Sequence, residues 1–163
     1  MKIVFLDIDG VLNSQRTCIA FGGYPNQPTG FHRDMFDEVA IRLIRGIVKE
    51  AGAKIVLSST WRILNHWNEV GQGLELPIID ATPRLAGHRG EEIQQWMDDY
   101  IADNENVEIT DYAIIDDDSD MLESQLSNFV HTSNFDGFSW ENAMQLCRLL
   151  HVDIYDVNRN KTR

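Results

Sequence analysis

Two acidic stretches carry the chemistry this chain has to offer. In "FLDIDGVLNS", Asp7 and Asp9 stand two residues apart, behind the apolar run Ile3-Val4-Phe5-Leu6 and directly ahead of Gly10. In "AIIDDDSDM", Asp116, Asp117 and Asp118 follow a second apolar run, with Asp120 just after. Two carboxylates roughly 4 Å apart repel by about 4 kcal/mol at an effective dielectric near 20. Gathering three or more therefore asks for a compensating cation. An all-oxygen donor set suits a hard divalent ion, and Mg2+, which keeps several waters and binds through one or two carboxylates plus substrate phosphate, fits best. Either stretch alone has an ordinary explanation. Asp-x-Asp-Gly occurs in turns, and "DDDSD" is compatible with a solvated helix start. Their joint occurrence, each directly behind a strand of buried type, is what points to a site.

The elements that must position these residues follow from periodicity. Residues 3–6 are apolar without alternation, the pattern of a strand covered on both faces in a parallel sheet. Residues 54–58 ("KIVLS"), 76–79 ("LPII") and 112–115 ("YAII") repeat that character, and 128–131 form a weaker strand. From 34 to 52, apolar residues at Phe36, Val39, Ala40, Leu43, Ile44, Ile47 and Val48 make a helical stripe with an acidic first turn and a glycine stop. Further stripes run through Ile93, Trp96, Met97, Tyr100 and Ile101, and through Trp140, Ala143, Met144, Cys147 and Leu150; both read as core-facing surfaces. Residues 21–30 ("FGGYPNQPTG") read as a loop. Strands alternating with helices predict an α/β chain: a Rossmann-like three-layer sandwich whose central parallel sheet has about five strands. Ligands bind beyond the carboxyl ends of such strands. One rim then collects Asp7 and Asp9 from the first strand, Ser58, Ser59 and Thr60 from the second, and Asp116 to Asp118 from a later one.

Composition bounds the rest. With 163 residues and 43% hydrophobic residues, the chain suits one domain, expected over 1–157, with a polar tail at 158–163. A formal net charge of -12 opposes wholesale coating of nucleic acid. Cys18 and Cys147 stand far apart, offering neither a disulfide framework nor a zinc site, and the five histidines show no ligand spacing. The amino terminus has no leader pattern, and no apolar run approaches the roughly 18 residues that span a bilayer. A soluble cytoplasmic protein is the expectation, with no membrane partner.

Taken in order, the motifs resemble those of the haloacid dehalogenase-like (HAD) superfamily. "FLDIDGVLN" is similar to its first motif, "IVLSS" to its second and "AIIDDDSDM" to its acidic fourth. More narrowly, "LSSTWR", "TPRLAGHRGEEIQQWM" and "DGFSWENA" resemble the phosphatase-type domains associated with RNA-repair proteins in bacteria and phages. The resemblance implies a HAD-like fold and a Mg2+-dependent phosphohydrolase working through an aspartyl-phosphate. Asp7 is then the nucleophile and Asp9 the general acid and base, and in an extended strand i and i+2 point to the same side. Ser58 matches the hydroxyl that binds the phosphoryl group, with Ser59 as the fallback. Asp7, the backbone carbonyl of Asp9 and Asp116 are the implied metal ligands, Asp117 lies among them or one layer out, and Asp120 is a weaker candidate. The third motif usually supplies a lysine, but residues 82–96 contain none. Arg89 is the substitute and Arg84 the second choice; guanidinium grips phosphate bidentately but does not give up its proton. Because Asp9 is an aspartate, a phosphatase or phosphotransferase is favoured over the superfamily's ATPase pumps and dehalogenases.

Size bears on the substrate. About 24 residues separate Gly10 from the helix expected at Asp34, and about 28 separate Thr60 from Arg89, which leaves room for loops or a rudimentary flap but not a full cap domain. An uncapped rim suits a large substrate, such as the 5′ or 3′ end of a nucleic acid, with a separate repair protein as partner. Tyr24, His32, Trp61, Arg62, His66 and Trp67 are candidates to line it and stack on bases, although Trp61 and Trp67 suit the core equally well. A capless nucleotidase acting on free mononucleotides and a non-catalytic HAD-fold interaction module are the alternatives. A receiver domain is disfavoured by charge and length together, since about 43 residues follow Asp120, too few for that fold's remaining four strands and helices.

Overall fold

The computed structural model describes residues 1–104 and 106–157, and the polar tail at 158–163 lies outside them. Five strands, β1 (Lys2–Leu6), β2 (Lys54–Leu57), β3 (Ile78–Ala81), β4 (Asp111–Asp116) and β5 (Phe129–His131), form one sheet in the order β3-β2-β1-β4-β5. Every pairing is parallel. The unbroken apolar runs are explained by this placement, because β1 is covered on both sides. Val4 and Leu6 enter one core cluster, while Ile3 and Phe5 enter the other.

Five helices cover the sheet: α1 (Gln15–Phe21), α2 (Glu38–Ala51), α3 (Trp67–Leu74), α4 (Arg89–Asp103) and α5 (Trp140–Leu149). Helices α2, α3 and α5 pack on the Val4–Leu6 face through Ile41, Ile44, Ile47, Val70, Leu74 and Leu146. Helix α4 covers the opposite face through Ile93, Trp96 and Met97. Fully buried aliphatic side chains of this kind contribute about 1.5–3 kcal/mol each. The three-layer α/β sandwich is therefore observed, with no second sheet or added layer among the described residues. The segment between β1 and α2 holds only the short α1 and a 3-10 turn at Gly30–Met35.

Four details differ from the periodicity reading. Helix α2 starts at Glu38 rather than near Asp34, because Asp37 caps it by accepting from the Val39 and Ala40 N–H groups. Strand β3 sits two residues later than "LPII", since Leu76 turns back to donate to Gly71 and the strand resumes after Pro77, which has no N–H for the ladder. Helices α1 and α3 occupy stretches read as loop or flap. Val39, Ile101 and Trp140, placed on apolar stripes, lie at helix ends and face solvent.

Candidate active site

The strand order reverses direction at β1, so β1 and β4 flank the point where crossovers leave to opposite sides, the usual crevice of an open α/β sheet. Leu6 is in register with Ile115, and Asp7 N–H continues the ladder by donating to the Ile115 carbonyl at 2.9 Å. Asp7 therefore emerges beside Asp116. Phe5, Val56 and Ile114 belong to the α4-side core, and the alternation of strand side chains carries Asp7, Ser58 and Asp116 to that same side.

The amino terminus of α4 delivers the cation. Arg89 Nη1 donates to Asp116 Oδ2 at 2.9 Å and to Asp7 Oδ1 at 3.2 Å. Arg84, the other candidate, is exposed. Gly90 permits the close approach, since a Cβ there would collide with the Leu122 backbone and the Gln125 side chain. Asp120 accepts from Arg89 N–H at 2.9 Å, and its carbonyl accepts from Gly90 N–H. Its role is thus to hold the start of α4, and it stands apart from the acidic cluster.

Asp7, Asp116 and Asp117 each present a carboxylate oxygen within 4.8 Å of the other two. Asp7 and Asp116 are buried, and Asp117 is half-buried. Burial pushes the Asp7 carboxyl above its ordinary range, with Arg89 and a hydrogen bond from Ser59 opposing. Burial and the Asp7 charge raise Asp116 to about 8, and burial raises Asp117 as well. Burial acts to lower Arg89, but Asp116 and Asp7 outweigh it and the net shift is upward. One guanidinium thus faces three converging acids, and the cluster is short of positive charge. That imbalance and the all-oxygen donor set fit a hard divalent cation. Gly10 keeps Asp117 in place: its φ is +72°, and a Cβ would run into the Asp117 carboxylate.

Asp9 is exposed and held separately. Asn13 Nδ2 donates to one of its oxygens at 2.8 Å, and Trp61 Nε1 to the other at 3.0 Å. Its carboxylate is outside the acidic triad. Trp61 also packs edge-on against Phe36, so it belongs to the core and the site at once. Trp67 is partly buried against the core, while His66 caps α3.

The two second-motif serines have different surroundings. Ser59 makes the contact to Asp7, and its Oγ accepts from Trp61 N–H. Ser58 is fully buried, and its hydroxyl has no partner among the described residues. Both carbonyls are tied down by Arg62, whose Nη1 donates to Ser58 O at 3.0 Å and to Ser59 O at 2.6 Å. Arg62 Nη2 donates to Glu92 Oε2 at 2.6 Å, and Arg89 Nε lies 3.8 Å from the same oxygen. A buried chain therefore runs from the serine turn through Arg62 and Glu92 to Arg89. Glu92 had no signal in the sequence beyond its place in the first turn of α4.

A family model described as the HAD domain in Swiss Army Knife RNA repair proteins matches residues 3–143. The chain belongs to that family. No curated protein and no solved structure matches it. Within a HAD domain, acids after the first and fourth strands of this order point to phosphatase-like hydrolytic chemistry, and the Asp7–Asp116–Asp117 triad is compatible with it. No helix among the described residues is long and apolar enough to cross a membrane.

Proposed function

We propose that the protein is a Mg2+-dependent phosphomonoesterase that works through an aspartyl-phosphate on Asp7. The observation that carries this reading is the convergence of Asp7, Asp116 and Asp117 around one rim, with Arg89 bonded to two of them and Asp9 held apart from all three. Asp7 Oδ attacks phosphorus, forming an acyl phosphate as the bond to the ester oxygen breaks. Asp9 gives its proton to the departing oxygen, then takes one from the water that hydrolyses the acyl phosphate. Splitting the reaction matters because uncatalysed phosphate-monoester cleavage is so slow that accelerations up to ~10²¹-fold are needed.

Asp7, Asp116 and the carbonyl of Asp9 would hold the metal, with Asp117 as a further ligand or a partner of its waters. When bound, the ion supplies positive charge to the phosphoryl oxygens and keeps Asp7 ionised. Arg89 has a second task for which it needs no proton transfer. Its guanidinium, already between Asp7 and Asp116, pairs with phosphoryl oxygens as charge builds on them. The Ser58 hydroxyl, buried and unpartnered, is the donor available to the same group, while Ser59 orients Asp7.

The preferred substrate is a terminal phosphate of a nucleic acid or another large molecule, supported by the family's association with RNA repair and by the absence of a cap layer among the described residues. A free mononucleotide is the alternative. The test is release of phosphate from para-nitrophenyl phosphate with and without Mg2+, for the wild type and Asp7→Asn, followed by 5′- and 3′-phosphorylated oligonucleotides and mononucleotides. Metal-dependent release that disappears in Asp7→Asn supports the mechanism. Full activity in Asp7→Asn overturns it, and inactivity of the wild type on every substrate favours a binding module.

A further inference from the structure

Beside Asp9 and Asp117 lies a pocket of about 500 Å³ whose remaining walls include Gln15, Tyr24, Asn134 and Phe135. It opens next to the carboxylate that serves the leaving oxygen, not next to Arg89, so its place is that of the leaving alcohol. Tyr24 and Phe135 are exposed, with 53% and 63% of their area open to solvent. Tyr24 and Asp9 line the same pocket.

The walls are held firmly. Gln15 N–H donates to Asn134 O at 2.8 Å and Arg16 N–H to Phe135 O at 2.9 Å, tying the loop after β5 to the start of α1. Thr132 Oγ1 donates to Gly10 O at 2.9 Å, fastening the same loop to the first acidic motif. Tyr24 follows the other end of α1, after Gly22 closes that helix at φ +80°. One short helix thus joins the two aromatic walls.

The pocket's chemistry is selective. Two carboxylates and no Lys, Arg or His line it, so a second phosphate inside it would meet only negative charge. Two carboxamides offer donors and acceptors, and two exposed rings offer faces for stacking. We infer that this pocket is the subsite for the nucleoside that bears the phosphate, with its base against Tyr24 or Phe135 and its polar edge within reach of Gln15 and Asn134. The assignment rests on the hydrolase reading above, because it takes Asp9 as the group beside the leaving oxygen. It adds to that reading a choice among phosphomonoesters: a leaving alcohol that carries an uncharged heteroaromatic ring is selected over one without a ring.

The experiment compares kcat/KM for nucleoside 3′- and 5′-monophosphates, phenyl phosphate and glycerol 2-phosphate in the wild type, Tyr24→Ala and Phe135→Ala. Loss of a stacking partner should lower the ratio of nucleotide to glycerol phosphate about tenfold. A ratio that neither substitution alters overturns the subsite. In parallel, nucleoside monophosphates and glycerol 2-phosphate are titrated into Asp7→Asn and followed by NMR. Saturable nucleotide binding that Phe135→Ala weakens about tenfold supports the subsite, and nucleotide binding no tighter than that of glycerol phosphate overturns it. If the wild type turns over nothing, the hydrolase reading falls while the titration still decides the pocket. Phosphorylated oligonucleotides in the same series decide whether the nucleoside is free or the end of a strand.

Discussion

Trp61 Nε1 donates to Asp9 Oδ2 at 3.0 Å across 52 positions of sequence, while Asn13 takes the other oxygen. The second aspartate of the first motif is thereby fixed by a core tryptophan rather than left to rotate at an exposed position. Hydrogen bonds to charged groups contribute about 1.5–3 kcal/mol. Trp61→Phe keeps the ring that packs on Phe36 and removes only the N–H. The expected result is a fall in kcat of about tenfold or more with KM nearly constant, since Asp7, Arg89 and Ser58 are untouched. Steady-state kinetics on a phosphomonoester checks it. An unaltered kcat would mean that Asn13 alone positions Asp9.

A second expectation concerns pH and metal. Asp116, Asp7 and Asp117 all have carboxyls raised by burial, Asp116 to about 8. The metal-free native state therefore holds protons that the unfolded chain has already released near pH 4. Stability from these groups is largest at low pH and is lost as pH climbs from about 4 towards about 8. A divalent cation binds the ionised form and should cancel the loss. Melting temperature measured at about pH 5 and about pH 8, in EDTA and in excess Mg2+, tests this sign, because proton linkage predicts a decline only without metal. Asp116→Asn should flatten the decline and blunt the Mg2+ response. A metal-free protein whose melting temperature rose steadily over this window would contradict the assigned shifts.

The strands and acids were legible because their signals are local. Unbroken apolar runs marked β1, β2 and β4, and the acids directly behind them had to emerge at one rim once the sheet was parallel. Arg89 was legible as a cation near the acids because it opens the helix whose stripe runs through Ile93, Trp96 and Met97. Helix α3 was hidden by its two glycines, which look like breakers in sequence. In the fold Gly71 lies close under Leu76 and Ile78, and Gly73 lies against the Pro28 backbone where a Cβ would collide, contacts that exist only after folding. Helix α1 was hidden by its solvent-facing Ile19 and Phe21, which blur its periodicity. The distinction between Ser58 and Ser59, the clamp from Trp61 to Asp9 and the role of Glu92 all join distant segments, and no spacing rule reaches that far.

The last expectation follows from Glu92, whose side chain and that of Arg62 are each only 8% exposed. Glu92 Oε1 accepts from Leu85 N–H at 3.1 Å, and Oε2 pairs with Arg62 at 2.6 Å. Burial pulls Arg62 below its ordinary range, with Glu92 opposing. Removing one partner of a buried pair strands the other charge and typically costs about 3–5 kcal/mol. Glu92→Gln keeps the shape and the hydrogen-bond acceptor but leaves Arg62 and Arg89 facing each other without the charge between them. Urea unfolding should show a loss near the lower end of that range, and Glu92→Ala a larger one. The catalytic readout separates a purely structural role from a positioning one. If Glu92 orients Arg89, the Glu92→Gln enzyme, assayed well below its unfolding midpoint, should bind phosphate or a phosphate analogue more weakly than wild type. Unchanged anion affinity in a folded Glu92→Gln protein would confine Glu92 to holding the serine turn.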